Sequence, residues 1–184
     1  MKIPNILTIG RILVAPILII IFFIPGELYD FLACGLFAIA AFTDYLDGFF
    51  ARLYKQQSKF GELLDPIADK VLVATALMLL VMDKIINDIS VIAAIIIVTR
   101  EILISGLREF LAKAQVFIPV TKLSKIKTVI QMISISILLA GESGDKLLFN
   151  YGIQLGLTLL WISAILTLYT GYIYIRKGVN LSFD

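Results

Sequence analysis

The chain of 184 residues has no histidine, one cysteine (Cys34) and five prolines, and only 16% of its residues are charged. Each scarcity excludes something. Without histidine there is no Ser-His-Asp or Cys-His catalysis, no His-ligated metal and no mixed His/Cys zinc site. One cysteine cannot form an intramolecular disulfide, and Cys34 reads as a small apolar residue. Soluble domains carry about 25% charged residues, so the low charge argues against a water-soluble fold and equally against disorder. The net charge of +2 is too small to imply a nucleic-acid partner. What is abundant is apolar surface: 60% of residues are hydrophobic, and mean hydropathy is +0.98. Chemistry, if any, falls to carboxylates, hydroxyls, Lys and Arg. Five of the 14 acids crowd one window: Asp44, Asp47, Glu62, Asp65 and Asp69.

A membrane-crossing helix needs about 20 residues, and a bilayer admits only helices or closed barrels. Hydropathy and breakers predict six spans, near residues 5–25, 29–54, 60–82, 89–111, 122–140 and 149–175. Pro25-Gly26, Asp83-Lys84, Gly141 and Arg176-Lys177-Gly178 supply stops. The expected fold is therefore an all-α integral membrane protein, one domain over 1–184, with six transmembrane helices. Residues 141–148 read as a loop, and the segment around Pro119 as the one place for a surface piece. The N-terminus resembles a signal peptide superficially, but it has no small-residue cleavage site and carries Arg11, so it reads as a retained span. The loops near 26–29, 83–88 and 141–148 share one side, where only Lys84 and Lys146 face six acids. The remaining 14 of 16 basic residues lie on the other side. The positive-inside rule makes that basic side cytoplasmic, with both termini and the acid window.

Asp44 and Asp47 are spaced i, i+3 at the inner end of span two; Asp65 and Asp69 are i, i+4 on span three. Both spacings put a pair on one helix face. Two antiparallel helices joined by a short loop would bring the four carboxylates together near the interface. Their repulsion and desolvation call for a divalent cation, and an all-oxygen donor set suits Mg²⁺, Mn²⁺ or Ca²⁺. Gly48 and Gly61 lie one turn from these acids and let a ligand or a backbone approach. Arg52 is a candidate phosphate ligand. Blander readings exist: a solvated acidic rim, glycines that only pack helices, and Asp65 as N-cap to a helix started by Pro66.

The full pattern, Asp-x2-Asp-Gly-x2-Ala-Arg-x8-Gly-x3-Asp-x3-Asp over 44–69, resembles the signature of the CDP-alcohol phosphatidyltransferase family at all eight fixed positions. The resemblance implies a six-helix membrane fold, usually a homodimer. It also implies a reaction in which an alcohol displaces CMP from a CDP-linked lipid with help from Mg or Mn, two ions in all. By position, Asp44, Asp47, Asp65 and Asp69 resemble the metal-binding acids, and Asp69 also resembles the general base. Gly48, Ala51, Arg52 and Gly61 correspond to positions near the cytidine and diphosphate. Glu62 is set aside on resemblance alone, because the pattern leaves its position free.

Three more segments resemble the members of that family whose acceptor is sn-glycerol 3-phosphate. They are Pro4-Asn5-Ile-Leu-Thr8-Ile-Gly-Arg11, then Thr99-Arg100-Glu101 through Arg108-Glu109, then Ser124-Lys125-Ile-Lys127-Thr128. The last has Ser124 where the family usually has glycine. In this resemblance Asn5 and Thr8 line the CDP-lipid pocket; alternatively they cap span one, with Arg11 as a snorkelling anchor. Arg100 lies deep in an apolar segment, where an unpaired guanidinium is costly. Arg108 follows by a little over two turns, roughly 80° round the helix. Arg100, Arg108, Lys125 and Lys127 are the candidate ligands for an acceptor phosphate, against positive-inside anchoring with local Arg100–Glu101 and Arg108–Glu109 pairs. Lys113, Lys122, Arg176 and Lys177 read as anchors. The last span contributes hydropathy alone. The expected reaction is phosphatidyl transfer from CDP-diacylglycerol in the bilayer to sn-glycerol 3-phosphate. Rival readings are another alcohol acceptor (inositol phosphate or serine), a divalent-cation transporter and a structural bundle.

Overall fold

The computed structural model describes residues 3–54, 59–113 and 121–182, with side chains described over 9–43, at 64, and over 67–111 and 121–176. Seven helices form: α1 (Ile3–Phe22), α2 (Glu27–Tyr54), α3 (Lys59–Met82), α4 (Ser90–Lys113), α5 (Lys122–Leu139), α6 (Gly141–Leu147) and α7 (Gly152–Ser182). No strand occurs among the described residues. All but α6 coincide with the expected spans to within a few residues at most ends, although α7 runs on past the expected end at 175.

The chain turns where left-handed backbone is tolerated or forced. Gly26 at φ +141 follows Pro25 and ends the α1 connection; Lys84 and Asp88 carry positive φ between α3 and α4. Thr121 caps α5, its hydroxyl accepting from the Ser124 N–H at 3.3 Å. One expectation is corrected and two of the alternative readings fall. The segment 141–148 is not simply a loop: Gly141 at φ +54 bends the chain by 97° into the seven-residue helix α6. Asp65 is not an N-cap, because α3 already begins at Lys59. Asn5 and Thr8 are not caps either, because α1 begins at Ile3.

Residues of α6 also bond to the neighbouring helices α2 and α7. Asp145 Oδ1 accepts from the Ile153 N–H at 2.9 Å and so caps α7. Ser143 donates to Asp30 at 2.5 Å, and Lys146 pairs with Glu27 at 2.8 Å. Both contacts tie α6 to the start of α2.

Helices α4 (over Ser90–Leu111) and α7 (over Gly152–Arg176) are each long and apolar enough to cross a membrane, and α5 with α6 qualifies as one bent span. The described residues therefore hold two or three candidate spans; within α1 the described side chains form an apolar stretch over Ile9–Phe22. The packing centre is α7, which lies against α4 and α5, while α1 lies against α2 and α3. Gly156 permits the α5–α7 approach: a Cβ there would sit 2.6 Å from Leu138 Cδ2. Ser134 donates to the Gly156 carbonyl at 2.8 Å across the same contact.

The interior divides in two. One part is apolar, built on Leu18, Phe37, Leu80, Ile97, Leu138 and Leu160. The other contains buried Arg100, Lys127, Gln131, Thr167 and Thr170, and Arg11 is buried on α1. Outside, Ile39, Met78, Ile95, Ile165 and Leu168 are largely exposed. In water such a surface would aggregate; in hydrocarbon it is the solvent-facing side.

Candidate active site

Asp69 lies half-buried on α3. It stands on the wall of a cavity of about 270 Å³ between α3, α4 and α5, with Lys70, Glu101, Thr128 and Gln131 as the other polar lining. The rest of the wall is aliphatic, including Val73, Ala74, Val98 and Ile102. The helix period sets this up: Asp69 and Val73 share one face of α3, and Val98 and Ile102 one face of α4.

Glu101 joins the cationic residues. Its Oε1 accepts from Lys127 Nζ and lies 3.6 Å from Arg100 Nη1. Lys127 and Arg100 are both buried, so the shared carboxylate offsets two desolvated charges. Asp69 is near enough to Lys127 for their charges to interact. Arg100 Nη2 donates to Thr170 Oγ1 at 2.9 Å. A polar chain thus runs from Asp69 through Lys127, Glu101 and Arg100 to α7. Arg108 is exposed, and its guanidinium lies 5.9 Å from the centre of the Tyr174 ring, a cation–π distance.

The structure therefore brings Asp69, Lys127, Arg100 and Glu101 together, with Arg108 farther along α4. The local Arg100–Glu101 pair exists, but Lys127 shares it. Lys125 does not join the group: it is exposed, and a two-residue step turns it to the opposite face of α5 from buried Lys127. Asn5 and Thr8 lie on α1, Asp44, Asp47, Gly48, Ala51 and Arg52 on α2, and Gly61 and Asp65 on α3. The side chains of these nine fall outside the described residues. Among the described residues no three ligand-type side chains cluster. The fit of a metal is therefore judged on donor chemistry: the four aspartates, on two consecutive helices, offer only hard oxygen donors, the type that Mg²⁺ or Mn²⁺ prefers.

The family model for CDP-alcohol phosphatidyltransferase matches residues 1–169. The chain belongs to that family. A Rickettsia typhi protein named CDP-diacylglycerol–glycerol-3-phosphate 3-phosphatidyltransferase is 44% identical, with 95% of this chain and 96% of that protein covered. Proteins of the same name from Haemophilus influenzae (41% identical; 96% and 94% covered) and Cereibacter sphaeroides (38%; 97% and 96%) are also similar. With its apolar exterior, this family member is an integral membrane protein.

Several residues of the site carry no family motif and were not anticipated. On α7, Thr170 and Tyr174 meet the two arginines, and Ser163, Thr167 and Thr170 form a buried stripe. Their i, i+4, i+7 spacing in an otherwise apolar helix is the signal that would have found them. Gln131 on α5 is buried, with no hydrogen-bond partner for its Oε1. It repeats the face of Lys127 one turn later.

Proposed function

We propose that this family member transfers the phosphatidyl group of CDP-diacylglycerol to sn-glycerol 3-phosphate, releasing CMP and phosphatidylglycerol phosphate. The main support is the 38–44% identity, over nearly the whole length of both chains, to enzymes named for that reaction. Physical support comes from the cavity, whose largely aliphatic wall carries the Asp69 carboxylate and also Glu101, the partner of buried Lys127 and Arg100.

Asp69 takes the proton of the acceptor's free primary hydroxyl. That oxygen forms a bond to the lipid-side phosphorus of the diphosphate, and the bond from that phosphorus to the CMP oxygen breaks. CMP leaves with its electron pair, and the proton stays on Asp69 until water removes it. Arg100 and Lys127 hold the acceptor's phosphate by charge-assisted hydrogen bonds, with Arg108 reaching in from the rim. Asp44, Asp47, Asp65 and Asp69 hold two divalent ions, Mg or Mn, which when bound neutralise the diphosphate and make CMP a better leaving group. Asn5, Thr8, Gly48, Ala51, Arg52 and Gly61 border the CDP-lipid. The aliphatic wall below Asp69 suits acyl chains that stay in the bilayer.

In this reading residues 1–184 form one six-span domain of the cytoplasmic membrane, working as a homodimer, with both termini and the site on the cytoplasmic side. The basic residues gathered on that side support the orientation. The test is CMP release by purified protein in detergent with CDP-diacylglycerol, sn-glycerol 3-phosphate and Mg²⁺ or Mn²⁺. No release sinks the reading; preference for inositol phosphate or serine in competition reassigns the acceptor. Metal flux into protein-loaded liposomes without lipid substrate would favour a transporter instead.

A further inference from the structure

The two candidate acceptor arginines lie at different angles on α4, yet one face of α7 meets both. Thr170, Gly171 and Tyr174 are spaced i, i+1 and i+4, within about 100° of arc. Thr170 Oγ1 accepts from Arg100 Nη2 at 2.9 Å while donating its own hydrogen to the Leu166 carbonyl at 2.8 Å. That second bond leaves the hydroxyl only lone pairs to offer the guanidinium. Gly171 has no side chain where the stem of Arg100 passes: a Cβ would sit 3.2 Å from Cγ and 3.3 Å from Nε. Arg100 thus lies flat against the α7 backbone. Tyr174, buried, presents its ring to Arg108.

We propose that Thr170, Gly171 and Tyr174 are positioning residues for acceptor binding, a seat on α7 that holds Arg100 and Arg108 in the orientation that receives the acceptor phosphate. The inference rests on the reading of those arginines as phosphate ligands. The physical need is clear. A free arginine side chain carries much rotamer entropy, which a phosphate would otherwise have to remove on binding. The seat orders it beforehand. It does so at a cost, because Arg100 Nε is buried without a hydrogen-bond partner, and an approaching anion offsets the buried charge.

The test measures KM for each substrate, kcat and thermal unfolding for the full-length protein in detergent. Arg100→Ala is the reference and raises KM for sn-glycerol 3-phosphate. Thr170→Val raises that KM about tenfold, as loss of one hydrogen bond to a charged group predicts, Gly171→Ala raises it by pushing the Arg100 stem off the helix, and both leave KM for CDP-diacylglycerol unchanged. Thr170→Ser, which keeps the hydroxyl, restores most of the loss. Tyr174→Leu gives a smaller rise that Tyr174→Phe does not. In an Arg100→Ala background the Thr170→Val and Gly171→Ala effects vanish, because the residue they seat is gone. Suppose instead that Arg100→Ala raises the acceptor KM while the α7 variants shift both KM values alike, or only the unfolding temperature. The seat is then mere packing and the inference fails, with the acceptor site intact. If Arg100→Ala leaves the acceptor KM unchanged, the acceptor-site reading falls and the seat with it. Should Gly171→Ala fail to fold, the Thr170→Val and Thr170→Ser contrast decides alone.

Discussion

The two parts of the interior are built by opposite rules. Around Phe37, Leu80, Ile97, Leu138 and Leu160 the helices meet through shape, with Ala33, Ala76, Ala93, Ala164 and Gly156 letting backbones come close. Around Asp69, Lys127, Glu101 and Arg100 they meet through charge, and buried polar atoms remain without partners on Arg100 and Gln131. Membrane helices associate by packing and hydrogen bonding, because lipid is as apolar as leucine. Either part could hold helices together. The second keeps charged and amide groups with unsatisfied polar atoms, and a protein retains that expense where a ligand meets it. The contrast separates the scaffold from the site without reference to any motif.

The sharpest way to break the contrast is Asp69→Asn. Loss of the base is expected to cut CMP release by at least about 100-fold, with helical content and unfolding temperature little changed. Activity equal to the parent would remove Asp69 from the chemistry. Next comes Lys127→Met, which keeps the stem and deletes the charge; KM for sn-glycerol 3-phosphate should rise about tenfold or more, as for a lost hydrogen bond to a charged group. An equal rise in KM for CDP-diacylglycerol would show a general disturbance of the cavity instead.

The apolar part should answer in the other currency. Phe37→Ala is expected to cost about 3 kcal/mol of stability, read as a lowered unfolding temperature in detergent. KM for both substrates should hold in the fraction that remains folded, and a selective change in acceptor KM would erase the distinction between the two parts. The smallest effect belongs to the exposed pair outside both. Lys146 holds the Glu27 carboxyl below its ordinary value of 4.5, and Glu27 raises Lys146 above 10.5. The carboxylate's contribution is present above pH 4.5 and fades as pH falls through the lowered value. The amine's is present below 10.5 and fades as pH rises through the raised value. Solvent screens the pair, so Glu27→Gln should leave the unfolding temperature at pH 7 almost unmoved. A large drop would mean that α6 docking matters more than its exposure implies.

Much of this was legible beforehand, for identifiable reasons. Helix positions follow from long apolar runs with Pro25-Gly26, Asp83-Lys84 and Gly141 between them. α6 did not, because seven residues rich in glycine and charge look like a loop until a positive-φ glycine and two ties to α2 order them. The span count is coarser than expected, because it is drawn from the described residues alone. In the site, the signature carries Asp44 through Asp69 as a one-dimensional pattern, and the segment from Thr99 carries the arginines. Lys125 and Lys127 looked equivalent in sequence, yet one step of two residues around α5 exposes the first and buries the second.

The sequence by itself determined the class of the molecule. A chain with this apolar content and long apolar runs has to be a helical membrane protein, and without histidine its chemistry is left to carboxylates, hydroxyls, Lys and Arg. Composition and periodicity are local properties, and they suffice for that. Only the tertiary structure decided which groups meet. Glu101 joins Arg100 to Lys127 across two helices, and Thr170 and Gly171, about 70 residues along the chain, receive Arg100 on a third. Such contacts depend on how helix faces are rotated against one another, and that rotation is set by packing over the whole bundle, not by any one segment.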